Sequence, residues 1–233
     1  MSIAGLAERI AGRASPGEVL VVGVTGSVAA GKSTLCAALK AALEPVRRVE
    51  VVSTDGFLWP NAVLSERGVL MRKGYPETYD VEGLAAALRG LREGPVTVPG
   101  YSHVIYDIDP ALARRVAPPD ILIVEGLGLS PRPEGLDLLV YLDAGEADLE
   151  DWFARRFMDL WRAAEADPAS FYARFRSMTE QEAETFARAV VWTQMNLPNL
   201  RGHIIQARDT ADIVARKRAD HRLVLEAAAT SRC

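Results

Sequence analysis

Residues 26–34 combine glycines, a lysine and hydroxyl side chains at the spacing G-x-x-x-x-G-K-[ST], which is typical of a loop that binds phosphate. Glycines let the backbone curl so that successive N–H groups point at anionic oxygens. Lys32 can reach the β- and γ-phosphates of a nucleotide, and the Ser33 hydroxyl can hold Mg²⁺. The candidate phosphate-binding residues are Gly26, Ser27, Ala29, Ala30, Gly31, Lys32, Ser33 and Thr34.

Two acidic side chains follow predicted strands and are expected at the same edge of the sheet as this loop. Asp55 follows residues 49–53, and Glu125 follows residues 121–124. Asp55 is suited to accept a proton from a hydroxyl that attacks a γ-phosphate, and Glu125 to hold Mg²⁺ directly or through water. Each also has a structural interpretation, because Asp-Gly is a common turn pair and a strand-end acid can cap the following residue.

Basic side chains that could stabilise a transferring phosphate are less clearly marked. Arg67, Arg72 and Lys73 lie in one loop, where a solvated surface and contact with phosphate are equally compatible with the pattern. Arg156 flanks the apolar stripe of a predicted helix, so we expect it to be half-buried and to bind an anion. His103 is a weaker candidate, and no second histidine stands at metal-ligand spacing, so a zinc site is not expected.

Apolar runs and helical spacing predict the elements that would position these side chains. The predicted strands are residues 19–24, 49–53, 96–99, 121–124 and 138–142, with late strands at 212–216 and 222–226. The predicted helices are residues 1–13, 32–43, 81–92, 146–164 and 179–196, and residues 56–79 form a long irregular segment. Alternating strands and helices predict an α/β fold, with a mainly parallel sheet covered by helices on both faces. Ligands of such sheets bind beyond the carboxyl ends of the strands.

Composition and charge disfavour several classes of protein. The 233 residues carry a net charge of −4, which gives no broad basic field and argues against binding to nucleic acid. The longest uncharged stretch, residues 19–31, is too short to span a bilayer, and residues 1–9 lack the core of a signal peptide. Cys36 and Cys233 predict no disulfide framework. We therefore expect a cytoplasmic protein with no nucleic-acid or membrane partner.

The motifs and their order resemble the bacterial type I pantothenate kinases, within the phosphoribulokinase and uridine kinase group of P-loop kinases. The matching segments are residues 26–34, 54–57, 66–68, 73–80, 101–103, 106–108, 119–127, 167–168 and 196–200. The resemblance implies the P-loop NTPase fold in one domain over residues 1–233, with lid or acceptor-binding insertions at about 56–80 and 146–200. It also implies transfer of phosphate from ATP, with Mg²⁺, to the primary hydroxyl of pantothenate, and a homodimer.

The resemblance further implies a role for each matched residue. Lys32 and Ser33 would bind the ATP phosphates and Mg²⁺, Asp55 would be the catalytic base, and His221 would lie near the adenine. Lys73 and Arg156 would contact the transferring phosphate or the substrate. The residues implied to line the pantothenate site are Tyr101, His103, Tyr106, Asn196 and, in place of a tyrosine, Phe153.

Several positions depart from that group. Phe153 lacks the hydroxyl of the usual tyrosine, Leu160 and Glu165 replace aromatic residues, and Gly128 replaces an asparagine. Because a missing hydrogen-bonding group can change specificity strongly, we expect intact phosphoryl-transfer machinery and an altered acceptor pocket. Members of the group also carry a longer segment before the phosphate-binding loop, so the adenine contacts are expected to differ.

Two other functions are compatible with the sequence. A related kinase could phosphorylate a sugar, a nucleoside or another polyol, whereas a nucleotide-binding regulator would bind ATP without catalysis. A GTPase is disfavoured because the chain lacks an Asn-Lys-x-Asp or Thr-Lys-x-Asp segment for reading guanine.

Overall fold

A central parallel sheet positions the candidate site. The structure, a computed structural model, describes residues 2–225. The strands in that range are β1 Leu20–Gly26, β2 Val49–Ser53, β3 Val96–Val98, β4 Tyr101–Ser102, β5 Asp107–Ile108, β6 Arg114–Val116, β7 Ile121–Glu125, β8 Leu138–Ala144, β9 Ile213–Lys217 and β10 Leu223–Leu225. Six of them form one sheet in the order β10-β9-β8-β1-β7-β2, in which neighbours run parallel except β10, which is antiparallel to β9. The pairs β3–β6 and β4–β5 are antiparallel.

Both faces of this sheet are covered. All seven residues of β1 are buried, and successive side chains of a strand point to opposite faces. The α-helices of the described range are α1 Ile3–Ala11, α2 Lys32–Leu43, α3 Asn61–Glu66, α4 Val81–Glu93, α5 Glu146–Ala163, α6 Glu180–Phe186, α7 Leu197–Asn199 and α8 Gln206–Asp209. α2 packs on β1, β2 and β7, and α8 packs on β1 and β8. The prediction of an α/β fold with a mainly parallel sheet is confirmed.

Most predicted elements agree with the observed ones. The predicted helix 32–43 and strand 49–53 coincide with α2 and β2. The predicted helix 179–196 begins at α6 and continues as a π-helix over Ala187–Asn196, a change that no sequence pattern indicated. Within residues 2–225, no helix combines the length and the apolar character that crossing a bilayer requires.

Some predictions fall at the chain ends or fail locally. The first residue of the predicted helix 1–13, the last residue of the predicted strand 222–226 and Cys233 lie outside the described residues. Cys36 is buried and free. The segment 56–79 is not wholly irregular, because it contains α3 and two short 3₁₀ turns. A helix of six residues is too short to show a recognisable periodic pattern.

The strand register brings the candidate residues to one edge of the sheet. Val24 of β1 and Ser53 of β2 both pair with Glu125, the last residue of β7. The loop at residues 26–34 follows β1, and Asp55 follows β2, so all of them lie beyond the carboxyl ends of neighbouring parallel strands. This is the edge at which sheets of this kind bind ligands.

Gly26 ends β1 in a conformation that a side chain would oppose. Its φ is +145°, and a Cβ there would lie 2.3 Å from the carbonyl oxygen of Leu142. We expect Gly26→Ala to lower the free energy of unfolding by more than about 2 kcal/mol, as measured by urea denaturation. Gly202→Ala is the control, because a Cβ at this helical position would meet no atom within 4 Å. Equal losses in the two variants would contradict this explanation.

Candidate active site

The phosphate-binding loop between β1 and α2 is held in shape by its own lysine. The Lys32 ammonium donates hydrogen bonds to the carbonyl oxygens of Gly26 (3.1 Å) and Ser27 (2.9 Å). Ala29 and Gly31 take positive φ angles of 61° and 95°, which curl the backbone. Because α2 starts at Lys32, its unpaired N–H groups and positive dipole end face the loop. A curled loop at a helix N-terminus is a geometry that binds phosphate groups.

Two carboxylates act on the buried Lys32 amine. Burial lowers the pKa of Lys32, whereas the negative charges of Glu125 and Asp55 raise it. The positive charge of Arg156 lowers it further. The charges of Lys32, Glu125 and Asp55 therefore act on one another, which agrees with their position at the same edge of the sheet.

Ser33 and Glu125 place two oxygen atoms that could bind a metal ion side by side next to the loop. The Ser33 hydroxyl donates to Glu125 Oε1 at 3.1 Å. Burial raises the pKa of the Glu125 carboxyl, and the nearby Lys32 opposes that effect. This donor set fits Mg²⁺, which prefers oxygen ligands and shares its shell with substrate phosphates and water. Within residues 2–225 there is no cluster of three or more His, Cys, Asp or Glu side chains suited to a metal.

Asp55 lies in a 3₁₀ turn, Thr54–Phe57, directly after β2. Its N–H donates to Ser53 Oγ at 3.2 Å, which fixes the start of the turn. Burial lowers the pKa values of Lys32 and Lys73, and the Asp55 charge partly opposes that effect at both lysines. Burial raises the pKa values of Glu125, Tyr79, Tyr101 and Tyr106, and the Asp55 charge adds to that effect. The turn interpretation and the catalytic interpretation are compatible, because the turn presents the carboxylate to all these groups.

The contacts of Lys73 distinguish it from the other basic residues of its loop. Its Nζ donates to Asn61 Oδ1 at 2.6 Å and to the Tyr106 carbonyl oxygen at 2.7 Å. It also lies 4.9 Å from the ring centroids of Tyr101 and Tyr106. Burial lowers the pKa of Lys73 to about 8, although two nearby carboxylates oppose that effect.

Arg67 and Arg72 instead make contacts within their own segment. The Arg67 guanidinium lies 4.6 Å from the ring centroid of Trp59. The Arg72 guanidinium lies 4.0 Å from the Tyr75 ring, and its Nε donates to Glu77 at 2.5 Å. The surface interpretation therefore suits these two arginines, and contact with phosphate suits Lys73 alone among the three.

The predicted acceptor residues Tyr101, His103 and Tyr106 lie together around the β4–β5 hairpin. The Tyr101 ring centroid is 5.1 Å from that of His103 and 5.9 Å from that of Tyr106. Burial raises the pKa values of both phenols, so they stay protonated and can donate hydrogen bonds.

A continuous series of rings connects this hairpin to α5. Tyr106 stacks on Phe171 with ring centroids 4.4 Å apart, and the centroids of Phe171 and Tyr172 are 5.6 Å apart. The ring centroids of Tyr172 and Phe157 are 5.3 Å apart, and those of Phe157 and Phe153 are 6.3 Å apart. Phe153 is 8% exposed, and this ring series links it to Tyr106 of the hairpin.

Asn196 is half-buried at the end of the π-helix Ala187–Asn196. Its side chain makes no hydrogen bond to another residue of the described range. The preceding carbonyl, that of Met195, accepts a hydrogen bond from the Tyr75 hydroxyl at 3.0 Å. This bond ties the π-helix to the segment that carries Lys73.

Arg156 is exposed, so the expectation that it is half-buried is wrong. α5 buries the face that contains Phe153 and Phe157, and position 156 lies outside that face. Among residues 2–225 no hydrogen bond or ion pair holds the guanidinium group. Burial lowers the pKa of Lys32 and raises that of Tyr106, and the Arg156 charge adds to the first effect and opposes the second. Arg156 therefore lies near both the loop and the hairpin, where its charge could act on an anionic ligand.

His221 lies against an aromatic side chain that is linked to the phosphate-binding loop. Its ring stacks on Trp152 with centroids 5.0 Å apart. The Lys217 ammonium lies 4.2 Å from the Trp152 centroid and donates to the Ala30 carbonyl oxygen at 3.0 Å. The residue predicted near the adenine is thus connected to the loop through two intermediate side chains.

Two positions at which this chain differs from the kinases that its sequence resembles, Gly128 and Glu165, have structural explanations. A Cβ at Gly128 would lie 2.9 Å from ring atoms of Tyr79, so a larger residue would require that ring to move. Glu165 forms an ion pair with Arg176 at 3.1 Å, and Arg176 lies 3.9 Å from the Trp161 ring centroid. Glu165 therefore serves a surface contact at the end of α5.

Sequence reasoning missed Asn61, Trp152 and Lys217. Lys217 is the last residue of β9, so the strand-end argument that found Glu125 could also have found it. Asn61 and Trp152 carry no chemical signal of their own in the sequence, because their significance depends on partners elsewhere in the chain.

Comparison with known proteins gives matches over most of the chain. The model of the Phosphoribulokinase / Uridine kinase family matches residues 21–158. A pantothenate kinase of Parvibaculum lavamentivorans is 42% identical over 223 residues, covering 87% of this chain and 68% of that protein. A pantothenate kinase of Sorangium cellulosum is 43% identical over 215 residues, covering 86% of this chain and 70% of that protein. A solved structure from Silicibacter sp. TM1040, named provisionally as a fructose transport system kinase, has a TM-score of 0.69 and 28% identity, covering 91% of this chain and 95% of that one.

Proposed function

Because this chain belongs to the phosphoribulokinase/uridine kinase family, we propose that it is a kinase that transfers the γ-phosphate of ATP to the primary hydroxyl of pantothenate. Relatives named pantothenate kinase, 42% and 43% identical over most of the chain, support this acceptor. The single observation that best supports the chemistry is the meeting of Lys32, Glu125 and Asp55 at the carboxyl edge of the sheet.

The proposed reaction is an in-line transfer. Asp55 accepts the proton of the acceptor hydroxyl while that oxygen forms a bond to the γ-phosphorus. The bond between the γ-phosphorus and the β–γ bridging oxygen breaks, and ADP leaves with that oxygen. Lys32 and the loop N–H groups stabilise the charge on the phosphate oxygens, and Lys73 and Arg156 act on the transferring group.

Ser33 and Glu125 are the residues that would hold Mg²⁺. When bound, Mg²⁺ supplies positive charge to the phosphate oxygens. Glu125→Gln keeps the side-chain shape and removes the negative charge. We expect it to raise the Mg²⁺ concentration needed for half-maximal activity by about 10–100-fold. Glu66→Gln, at an exposed position of α3, is the matched control, and identical Mg²⁺ titrations for all three proteins would exclude Glu125 as a ligand.

The acceptor site is proposed to lie beside Asp55, bounded by the hairpin and by the ring series that starts at Tyr106. Tyr101, His103 and Tyr106 supply polar groups near Asp55, and Phe153 and Asn196 would form the more distant wall. With Phe153 in place of tyrosine, that wall has one fewer hydroxyl to hydrogen-bond an acceptor. The proposed pocket therefore has a different polar pattern from one with tyrosine at this position.

An acceptor panel tests the proposal. Purified protein with ATP and Mg²⁺ is offered pantothenate, fructose, uridine and glycerol in turn, and ADP release is measured. Selective turnover of pantothenate is the expected result. The Silicibacter structure favours fructose as the second candidate, and preferential turnover of fructose would replace pantothenate as the acceptor. ATP binding without turnover of any acceptor would favour a nucleotide-binding regulator.

Three further expectations belong to the same proposal. His221 is proposed to contact the adenine from its position beside Trp152. A homodimer and a cytoplasmic location are predictions from the sequence and its resemblance. Sedimentation of the purified protein would measure the assembly directly.

A further inference from the structure

The side chain and the backbone N–H of Asn61 make hydrogen bonds on the proposed acceptor side of the site. Its Oδ1 accepts a hydrogen bond from Lys73 Nζ at 2.6 Å, and its Nδ2 donates to the Tyr106 carbonyl oxygen at 3.0 Å. Its backbone N–H donates to Asp107 Oδ1 at 2.9 Å. One half-buried side chain at the start of α3 thus joins the lysine to the hairpin.

The hairpin is shaped to complete this arrangement. Tyr106 has φ of +57°, a value that non-glycine residues rarely adopt. In this conformation its carbonyl oxygen accepts from both Lys73 Nζ, at 2.7 Å, and Asn61 Nδ2. A strained residue persists where its surroundings hold it, and here the surrounding groups are Lys73 and Asn61.

The Lys73 ammonium has three donors, and two of them are used by these oxygens. The third is available for a transferring phosphate. Without the amide oxygen, a lysine on four rotatable bonds would have one anchor and a wider range of positions. A short charge-assisted bond restricts that range.

We propose that Asn61 is a positioning residue that orients Lys73, through its amide oxygen, for phosphoryl transfer. The inference rests on the role given to Lys73 in the proposed function. The competing explanation is that Asn61 only stabilises the first turn of α3 and the hairpin, with no effect on the state of Lys73.

The test measures the Lys73 amine directly, by pH titration of the lysine Cε resonance in ¹³C NMR, with Lys73→Arg to assign the signal. Asn61→Leu keeps the branching at Cγ but removes the acceptor and the Nδ2 donor, so the pKa of Lys73 should fall below its wild-type value of about 8. Asn61→Asp keeps an acceptor and adds negative charge, so the pKa should rise. The other groups facing Lys73 are unchanged: Asp107 on β5, Asp55 after β2, and the phenols of Tyr101 and Tyr106.

Kinetics complete the test. We expect Asn61→Leu to lower kcat by about 10–100-fold with little change in the KM for ATP, the effect of losing a hydrogen bond to a charged group. Because transfer uses the ammonium form, the alkaline limb of the rate should move in the same direction as the titration in each variant. Ser65→Ala, at an exposed position of α3, should leave the titration and the rate unchanged.

The possible results separate the inference from the proposed function. Opposite NMR shifts with the expected loss of kcat support the inference. A titration that is the same in all variants, or shifts without any change in kcat, overturns it. If Asn61→Leu fails to fold, the Asn61→Asp titration decides alone. If the wild type turns over no acceptor, the proposed function fails, whereas the titration still shows whether Asn61 controls the Lys73 amine.

Discussion

Replacing Asp55 with asparagine is expected to lower kcat by about 10²–10⁴-fold, the usual contribution of an acid–base group. Asparagine keeps the shape of the side chain and the Ser53 contact to the backbone, but it cannot accept the proton of the acceptor hydroxyl. ATP binding, measured by calorimetry with Mg²⁺, should change by only a few-fold.

Asp159→Asn is the matched control for this experiment. Asp159 is a largely exposed carboxylate on α5 that pairs with Arg162, an interaction of little energetic weight. Its kcat should match that of the wild type. A normal kcat in Asp55→Asn would remove Asp55 from its proposed role, and a parallel loss of ATP affinity would indicate damage to the loop rather than to the chemistry.

Replacing Lys32 with methionine should have an effect of similar size through a different step. Methionine keeps an unbranched chain but removes the positive charge and both hydrogen bonds to the loop carbonyls. We expect kcat/KM for ATP to fall by about 10²–10³-fold, because the charge on the phosphate oxygens then loses a preorganised donor.

Lys40→Met controls for the removal of a lysine from α2. Lys40 pairs with Glu44 at 3.5 Å near the end of the helix, away from the loop. Its kinetics should be those of the wild type. Wild-type kcat/KM in Lys32→Met would contradict the assignment of residues 26–34 as the ATP site.

The parts of the site that depend on short stretches of chain could be predicted from the sequence. The loop is defined by a local motif, and α2 begins at the residue that the motif requires. Asp55 and Glu125 follow from one rule, because buried apolar runs identify strands and parallel strands end at one edge. The register between β1, β2 and β7 confirms that these ends are adjacent.

The remaining parts depend on contacts that no local pattern encodes. Lys73 carries the same positive charge as Arg67 and Arg72, and its contacts with Asn61 and the Tyr106 carbonyl distinguish it from them. Those partners are 12 and 33 residues away in the chain.

The prediction for Arg156 failed for a related reason. Helical spacing identifies which residues share a face with Phe153 and Phe157, but it does not show how far the covering segments extend. In the structure position 156 lies outside the buried face of α5 and is exposed. The exposure of a long side chain at the border of an apolar face is set by what packs opposite, not by its own helix.

The contacts of Trp152 have a practical consequence. Its indole is close to the ammonium of Lys217 and to the imidazole of His221. The Lys217 ammonium is hydrogen-bonded to the Ala30 carbonyl oxygen of the loop. Indole emission responds to nearby charge and to ring stacking, so the chain contains an intrinsic fluorophore about one side chain away from the loop. A variant that retains this tryptophan while the other three are replaced would report nucleotide binding without any attached dye.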